Sequence, residues 1–195
     1  MLLTSWNCRG LGHSSKAEAI KSLIKLAPPD LLLLQETKIE DDALLLISKN
    51  KWNMNSGKAL NARGSCGGLA TFWGKDKFQL LNEYVTQHWI FTELVHIHSK
   101  LTIALFNLYV PVNYGEKKDC CQSIFYFLVL HTPANIIIVG DLNLNLAPCK
   151  KKGGVRGKDF MQGVVENMIH DWDLVDIKPK VGRFTSSNQR VFLPG

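Results

Sequence analysis

Residues 136–143 read Ile136-Ile137-Ile138-Val139-Gly140-Asp141-Leu142-Asn143. The first four residues form a continuous apolar run, which predicts a β-strand buried on both faces. Gly140 ends the run, and Asp141 and Asn143 follow two residues apart, so that both side chains can face the same side. A rigid strand that delivers a carboxylate and an amide at its exit favours a functional site there. A local Asx turn explains the same two residues equally well.

Length and composition limit the number of domains and the kind of partner. The chain has 195 residues, 46% of them hydrophobic and 21% charged, with a formal net charge of +6. This is enough for one domain with a full core and too little for two. We therefore expect a single domain over residues 1–195. The moderate positive charge suits an anionic partner such as nucleic acid, although it is also typical of solvated surfaces.

Cysteine usage and apolar runs indicate the cellular setting. The five cysteines are odd in number and include no CxxC pair. This pattern favours reduced thiols inside the cell over a disulfide framework or a disulfide-linked partner. The N-terminal apolar run is too short for a signal peptide, and no run is long enough to cross a bilayer. We expect a soluble intracellular protein without a membrane partner. Nothing bears directly on oligomeric state, and a monomer is the expectation.

Apolar patterns along the chain predict about eight strands and about four helices. The predicted strands cover residues 2–6, 31–34, 69–73, 78–84, 90–97, 101–109 and 135–139, with weaker extended pieces at 174–177 and 183–186. The predicted helices cover residues 15–27, 41–47, 116–130 and 159–170. Hairpins in the middle and helical crossovers at each end predict an α/β fold of two packed sheets flanked by helices.

Three local expectations accompany this outline. Ser15 and Glu18 have the form of a capping box that starts the first helix. Residues 52–68 are rich in Asn, Ser and Gly and are expected to form a loop. The strand at 101–109 is apolar on both faces and should be covered on both sides. The third helix should be buried through Ile124, Phe127, Leu128 and Leu130.

Polar residues stand at several predicted strand exits: Asn7, Glu36, Tyr109, Asp141 and Asn143. Such oxygen-rich groups suit a hard cation such as Mg²⁺, held by few protein ligands and completed by water and phosphate. Glu36 is the best single metal ligand. Asp141 could orient or deprotonate a water, and Asn143 could donate to a phosphate oxygen as charge builds there. A zinc site is disfavoured because the six histidines are scattered.

Five motifs in order make the chain resemble a known family. They are WNCRGLG at 6–12, LLQETK at 33–38, GGLA at 67–70, NLYVP at 107–111 and GDLN at 140–143. The set resembles the endonuclease/exonuclease/phosphatase superfamily, which includes DNase I-like and apurinic-endonuclease-like enzymes. The first two motifs look most like the endonuclease domains of LINE-type, non-LTR retrotransposons. The resemblance covers nearly the whole chain.

The resemblance implies a DNase I-like, four-layered α/β sandwich that hydrolyses phosphodiesters and nicks DNA in the nucleus. The implied cofactor is Mg²⁺, with Mn²⁺ able to substitute. By motif, Glu36 would hold the metal with Asn7 beside it, and Tyr109 would contact the phosphate. Asp141 would position the attacking water, and Asn143 would stabilise the transition state.

Two groups of residues are expected to meet the nucleic acid. Thr185 lies in FTSSN at 184–188, which resembles a late family motif near the substrate, although the family commonly has Trp where Ser186 stands. Basic residues could also bind the backbone. They are Arg9, Arg63, the loop at 150–156 and Arg183. A solvated surface turn is the simpler explanation of that basic loop.

The family's last two motifs, a late-strand Asp and a C-terminal Ser-Asp-His, do not occur in this sequence, and no histidine follows His170. The resemblance therefore predicts a domain truncated at its C-terminus that lacks the final strands. Loss of one positioned catalytic group typically costs about 10²–10⁴ in rate. Three functions stay open: a Mg²⁺-dependent nicking endonuclease, an inactive remnant that at most binds nucleic acid, and a phosphoesterase on another substrate.

Overall fold

The computed structural model describes residues 1–63, 66–143, 162–175 and 177. The elements run in the order β1 (Leu3–Asn7), α1 (Ser14–Leu26), β2 (Leu31–Gln35), α2 (Asp41–Lys51), β3 (Ser56–Arg63), β4 (Cys66–Trp73), β5 (Phe78–Val85), β6 (Trp89–His96), β7 (Thr102–Tyr109), α3 (Tyr114–His131), β8 (Ile136–Asp141) and α4 (Gln162–Asp171). The chain divides into two compact units, residues 1–143 and residues 144–195. The first unit carries both sheets. In the second, α4 is the described helix.

The first unit contains two four-stranded sheets, in the orders β1-β2-β4-β3 and β5-β6-β7-β8. Each sheet is mixed, because β1 runs parallel to β2 and β7 runs parallel to β8, while the remaining pairs are antiparallel. Each parallel pair is connected by a helix, α1 or α3, as parallel pairing requires. This arrangement confirms the predicted α/β fold of two mixed sheets flanked by helices.

Strand β2 is covered on both faces, as its leucine run predicts. Leu31 and Leu33 pack between the sheets, in a cluster with Leu94, Ile103 and Leu105. The alternate residues Leu32 and Leu34 pack against α1 and α2, in a cluster that includes Ala17, Ile20 and Leu44. Burying one such leucine side chain contributes roughly 1.5–3 kcal/mol. The strand therefore forms a rigid support for Glu36, which directly follows it.

Helix α3 covers the outer face of the second sheet. The Phe127 ring lies 4.7 Å from Phe91 and 5.7 Å from Phe106 between centroids. On the opposite face of β7, Ile103 and Leu105 point between the sheets, so the prediction that this strand is covered on both sides is confirmed. The expectation for Leu130 is wrong, because its side chain is 78% exposed. None of the described helices has the length and apolar character needed to span a bilayer.

Residues 52–68 do not form the expected loop, because β3 and the first residues of β4 lie within them. β3 is an edge strand whose Ser, Gly and Asn residues hide the strand pattern, and its pairing with β4 stabilises it instead. Gly57 lies opposite Phe72, where an added Cβ would be 2.2 Å from a carbon of the Phe72 ring. The glycine therefore makes room for a buried aromatic ring.

The expected capping box is also absent at α1. The helix begins at Ser14 with His13 as its N-cap, and that cap makes no side-chain hydrogen bond. Glu18 cannot serve as the reciprocal cap, since its carboxylate pairs with Lys21 and Lys51. Lys16 instead donates to the backbone oxygens of Cys8 and Arg9, at 3.1 and 2.8 Å. This contact ties the helix to the loop after β1.

Strand β8 is half-buried along its length, so the expectation of burial on both faces is wrong. Its place in the sheet order explains the difference, because β8 pairs with β7 and stands at the end of the described sheet. Ile137 and Val139 pack between the sheets.

Three cysteines whose side chains the structure describes, Cys8, Cys120 and Cys121, are free, buried thiols. Burial raises the pKa of Cys8 and of Cys120 to about 12. Because the thiolate is the reactive form, we expect both to react with iodoacetamide at pH 8 roughly 10³-fold more slowly than an exposed cysteine. Mass spectrometry of the alkylated peptides measures each cysteine separately, and urea-unfolded chain is the control. Modification of Cys8 at the rate of the unfolded chain would contradict its burial.

Candidate functional site

The candidate site forms where the layer between the sheets changes from apolar to polar. Along β8, Ile137 and Val139 pack between the sheets, and the alternation places Asp141 on the same face at the strand's end. Along β7, Ile103 and Leu105 also pack between the sheets, and the alternation places Asn107 and Tyr109 on the same face. Tyr109 pairs directly with Asp141 in the strand register. Because β7 and β8 are parallel, these polar residues reach one edge of the sheet together.

The Asn7 side chain bridges the two sheets at this edge. Its amide nitrogen Nδ2 lies 2.7 Å from Glu36 Oε1 and 2.7 Å from Asp141 Oδ2, and it donates to both carboxylates. Its amide oxygen accepts from the backbone N–H of Arg9 at 3.1 Å. Hydrogen bonds to ionised acceptors are the stronger kind. The structure thus brings together two carboxylates that are 105 positions apart in the chain numbering.

Glu36 is held by the loops that follow β1 and β2. Backbone hydrogen bonds continue past both strands, from Gly10 N to Glu36 O at 2.6 Å and from Leu11 N to Thr37 O at 2.7 Å. Glu36 adopts a left-handed backbone with φ of +50°, which is uncommon outside glycine. Its side chain is 16% exposed, and Lys38 Nζ lies 3.5 Å from its Oε2 atom.

The GGLA motif lets β4 approach the exit of β2 closely. Thr37 N and Lys38 N donate to the carbonyl oxygens of Gly68 and Gly67, at 3.1 and 3.3 Å. A Cβ on Gly68 would lie 2.3 Å from Thr37 Oγ1 and 3.1 Å from Lys38 N. Glycine is needed here because any side chain would push away the loop that carries Glu36.

Asp141 and Asn143 do form an Asx turn, and that turn lies within the candidate site. Asn143 N donates to Asp141 Oδ1 at 3.1 Å, and Asn143 Nδ2 donates to the carbonyl oxygen of Val110 at 2.7 Å. Val110 N donates in return to the carbonyl oxygen of Asp141 at 2.9 Å. Asn143 is left-handed, with φ of +46°. The two interpretations of this stretch are therefore compatible.

Three buried polar residues behind the site were missed from the sequence. Asn107, fully buried, accepts from Gln35 Nε2 at 2.7 Å and donates to Ala70 O at 2.8 Å, so it joins the two sheets. Lys117, only 7% exposed, donates from Nζ to Asn143 O at 2.9 Å. Asn107 and Gln35 stand inside the motifs at 107–111 and 33–38, which is the signal that could have found them. Lys117 looks like a surface residue of α3 and gives no such signal.

The donor chemistry at this edge fits Mg²⁺. The described residues include no group of three or more His, Cys, Asp or Glu that could hold a metal ion. Glu36 and Asp141 lie within reach of one amide, and Mg²⁺ is commonly bound through one or two carboxylates while it keeps several waters. Glu36 and Asp141 therefore suit a hard cation that takes few ligands from the protein and keeps several water ligands.

Of the remaining predicted site residues, Arg9 lies next to this cluster through its backbone contact with Asn7, and the others have side chains outside the part of the chain that the structure describes. Arg9 is exposed in the loop after β1, with φ of +48°. The backbone of Arg63 ends β3, and its side chain is not among the described parts. Thr185, Arg183 and the basic loop at 150–156 fall outside the described residues.

A sequence model of the Endonuclease/Exonuclease/phosphatase family matches residues 4–148 of the chain. No curated protein matches it at a significant level. The matched region runs from the second residue of β1 past the end of β8 and includes every residue of the cluster described above.

Solved structures share the fold at low sequence identity. An AP endonuclease from Archaeoglobus fulgidus superposes with a TM-score of 0.61 at 17% identity, covering 78% of this chain and 62% of that one. The human Nocturnin catalytic domain gives 0.57 at 19% identity, with 74% and 64% covered. A humanized TDP2 from D. rerio gives 0.55 at 18% identity, with 74% and 67% covered. The chain thus spans about two thirds of the length of these structures.

Proposed function

Because the chain belongs to the endonuclease/exonuclease/phosphatase family, we propose that it is a Mg²⁺-dependent phosphodiesterase that nicks DNA. The observation that carries this proposal is the Asn7 amide, which holds Glu36 and Asp141 together where the two sheets end. The amino-acid sequences of the motifs at 6–12 and 33–38 support a more specific proposal, that the chain is a LINE-type retrotransposon endonuclease acting in the nucleus.

Glu36, with Asn7 beside it, would hold the Mg²⁺ ion, and Mn²⁺ would substitute. When bound, the ion supplies positive charge that polarises phosphoryl oxygens. Asn7 contributes from its present position, because its two hydrogen bonds orient both carboxylates. Orienting such groups before the substrate arrives avoids their reorganisation during the reaction.

The other residues of the cluster would act on the water and the phosphate. Asp141 would orient the attacking water and accept its proton, since its carboxylate is already fixed by Asn7 and Asn143. Asn143 has one amide hydrogen on Val110 O and a second that can donate to a phosphate oxygen. Tyr109, next to Asp141 in register, would contact the phosphate, and Arg9 and Thr185 would contact the nucleic acid.

Nicking of supercoiled plasmid DNA by the purified chain tests the proposal. We expect nicking with Mg²⁺ and none with EDTA, and a loss of roughly 10³-fold or more in Glu36→Ala and in Asp141→Ala. Glu83→Ala is the matched control, because Glu83 is a surface carboxylate paired with Lys58 and should leave the rate unchanged.

Three results would contradict the proposal in different ways. Nicking that survives both site substitutions would identify a contaminating nuclease. A folded chain that binds DNA in a salt-dependent manner without cutting it would be an inactive remnant. Hydrolysis of small phosphomonoesters without nicking would instead indicate a phosphoesterase on another substrate.

A further inference from the structure

Both oxygens of Glu36 already have cationic or donor partners in this structure. Oε1 accepts from Asn7 Nδ2 at 2.7 Å, and Oε2 lies 3.5 Å from Lys38 Nζ. Asp141 shares the same Asn7 amide, so two carboxylates lie close together around one neutral donor. Like charges at such a short distance disfavour each other. The Lys38 ammonium, 3.5 Å from Glu36 Oε2, places a positive charge beside this pair.

The backbone directs Lys38 towards Glu36. Lys38 is left-handed, with φ of +54°, and its N–H is held by Gly67 O at 3.3 Å. Its aliphatic stem lies over Gly10, where an added Cβ would be 3.4 Å from Lys38 Cδ. The loop after β1 and the first residues of β4 thus fix where the lysine starts and where its stem runs, and the ammonium ends at the carboxylate.

The contact is nevertheless easy to release. At 3.5 Å the ammonium is farther from Oε2 than a good N–H···O hydrogen bond allows, so the attraction is mainly electrostatic. The Lys38 side chain is 36% exposed, so water can replace the carboxylate as its partner. Ion pairs of this partly exposed kind contribute little to stability. Lys38 can therefore leave Glu36 without disturbing the fold.

We propose that Lys38 is the resident cation of Glu36: it balances the carboxylate pair in the metal-free chain, competes with the metal, and turns to a DNA phosphate when displaced. This role rests on the proposed Mg²⁺-dependent function of the same site. It assigns Lys38 two successive partners, Glu36 and then the phosphate. Metal and DNA should consequently bind with positive coupling, because a bound metal releases the Lys38 ammonium from Glu36 and makes it available to a DNA phosphate.

The first test measures binding of Mn²⁺ alone, by electron paramagnetic resonance of the free ion. Removing one positive charge beside the site should tighten Mn²⁺ binding roughly five- to thirtyfold in Lys38→Met, and Lys38→Arg should bind as the wild type does. Lys58→Met is the matched control, because it removes a lysine from another Lys–Glu pair, with Glu83, and should change affinity less than about twofold. Unchanged affinity in Lys38→Met would overturn the competition.

A Glu36→Gln variant separates the two proposals. Strongly weakened Mn²⁺ binding in Glu36→Gln with no gain in Lys38→Met would refute the role of Lys38 and leave the metal site standing. Binding that Glu36→Gln does not weaken would refute the proposed metal site, and the role of Lys38 with it.

The second test measures affinity for a short DNA duplex at low salt, without metal and with saturating Ca²⁺ as a metal that slows turnover. In the wild type, metal should increase DNA affinity, and in Lys38→Met most of that increase should be lost. Lys58→Met should retain the increase, since its charge lies on a surface pair away from the site. An equal increase in the wild type and Lys38→Met would overturn the proposed transfer of Lys38 to the phosphate.

Discussion

Replacing Gly140 with alanine should destabilise the first unit by about 3 kcal/mol or more, and should displace the site with it. Gly140 has φ of +145°, a conformation that L side chains rarely adopt. A Cβ there would lie 2.0 Å from the carbonyl oxygen of Leu108 and 2.8 Å from its nitrogen, so the methyl group would collide with the neighbouring strand's backbone. Because Asp141 follows directly, any shift that relieves the collision moves the carboxylate.

Thermal unfolding measures this effect, and the expected fall in Tm is roughly 10 °C. Gly12→Ala is the matched control, because an added Cβ at Gly12 meets nothing within 4 Å, and its Tm should stay within about 2 °C of the wild type. A Gly140→Ala chain as stable as Gly12→Ala would mean that β7 and β8 do not approach each other as described.

Replacing Asn7 with aspartate should destabilise the metal-free chain by about 3 kcal/mol at pH 7 and make its stability depend on Mg²⁺. The change removes two hydrogen bonds to ionised carboxylates, each worth about 1.5–3 kcal/mol. It also places a third carboxylate between Glu36 and Asp141. A divalent cation that binds the folded chain should restore much of this loss by mass action.

Unfolding scans without metal, and with Mg²⁺ in excess, check this expectation. Asn82→Asp is the matched control, because Asn82 donates to the Glu93 carboxylate at 2.6 Å on the exposed surface of the second sheet. That variant should lose less than about 1 kcal/mol and should not respond to Mg²⁺. Equal Tm values for Asn7→Asp and the wild type, with and without Mg²⁺, would show that the Asn7 bridge contributes nothing.

Most of the fold could be predicted because its central strands are strongly patterned. The leucines at 31–34 and the two apolar faces of 101–109 indicate strands covered on both sides, whatever their neighbours are. β3 was not predicted, because its extended conformation is stabilised by pairing with β4 and its own residues show no strand pattern. The half-burial of β8 was missed for a related reason. An apolar run alone does not reveal its position in a sheet.

Residues of the candidate site could be predicted to lie together only where a residue's chemistry and its strand position point to the same place. Asp141 and Glu36 follow apolar runs, and the structure brings them together. Asn107 and Gln35 meet only because the two sheets pack face to face, an association that no local pattern shows. Lys38 is the last residue of the motif at 33–38. The sequence does not show its contact with Glu36, which forms where both residues have a left-handed backbone.

Four non-glycine residues at this edge have left-handed backbones, and they are Arg9, Glu36, Lys38 and Asn143. Such conformations cost about 1–3 kcal/mol each and persist because surrounding contacts hold them. Glycine at Arg9 or Lys38 would relieve that cost while deleting the charged group. A library screened for heat resistance alone should therefore enrich these substitutions. Its most thermostable members would therefore lack the positive charges of Arg9 and Lys38 at this edge.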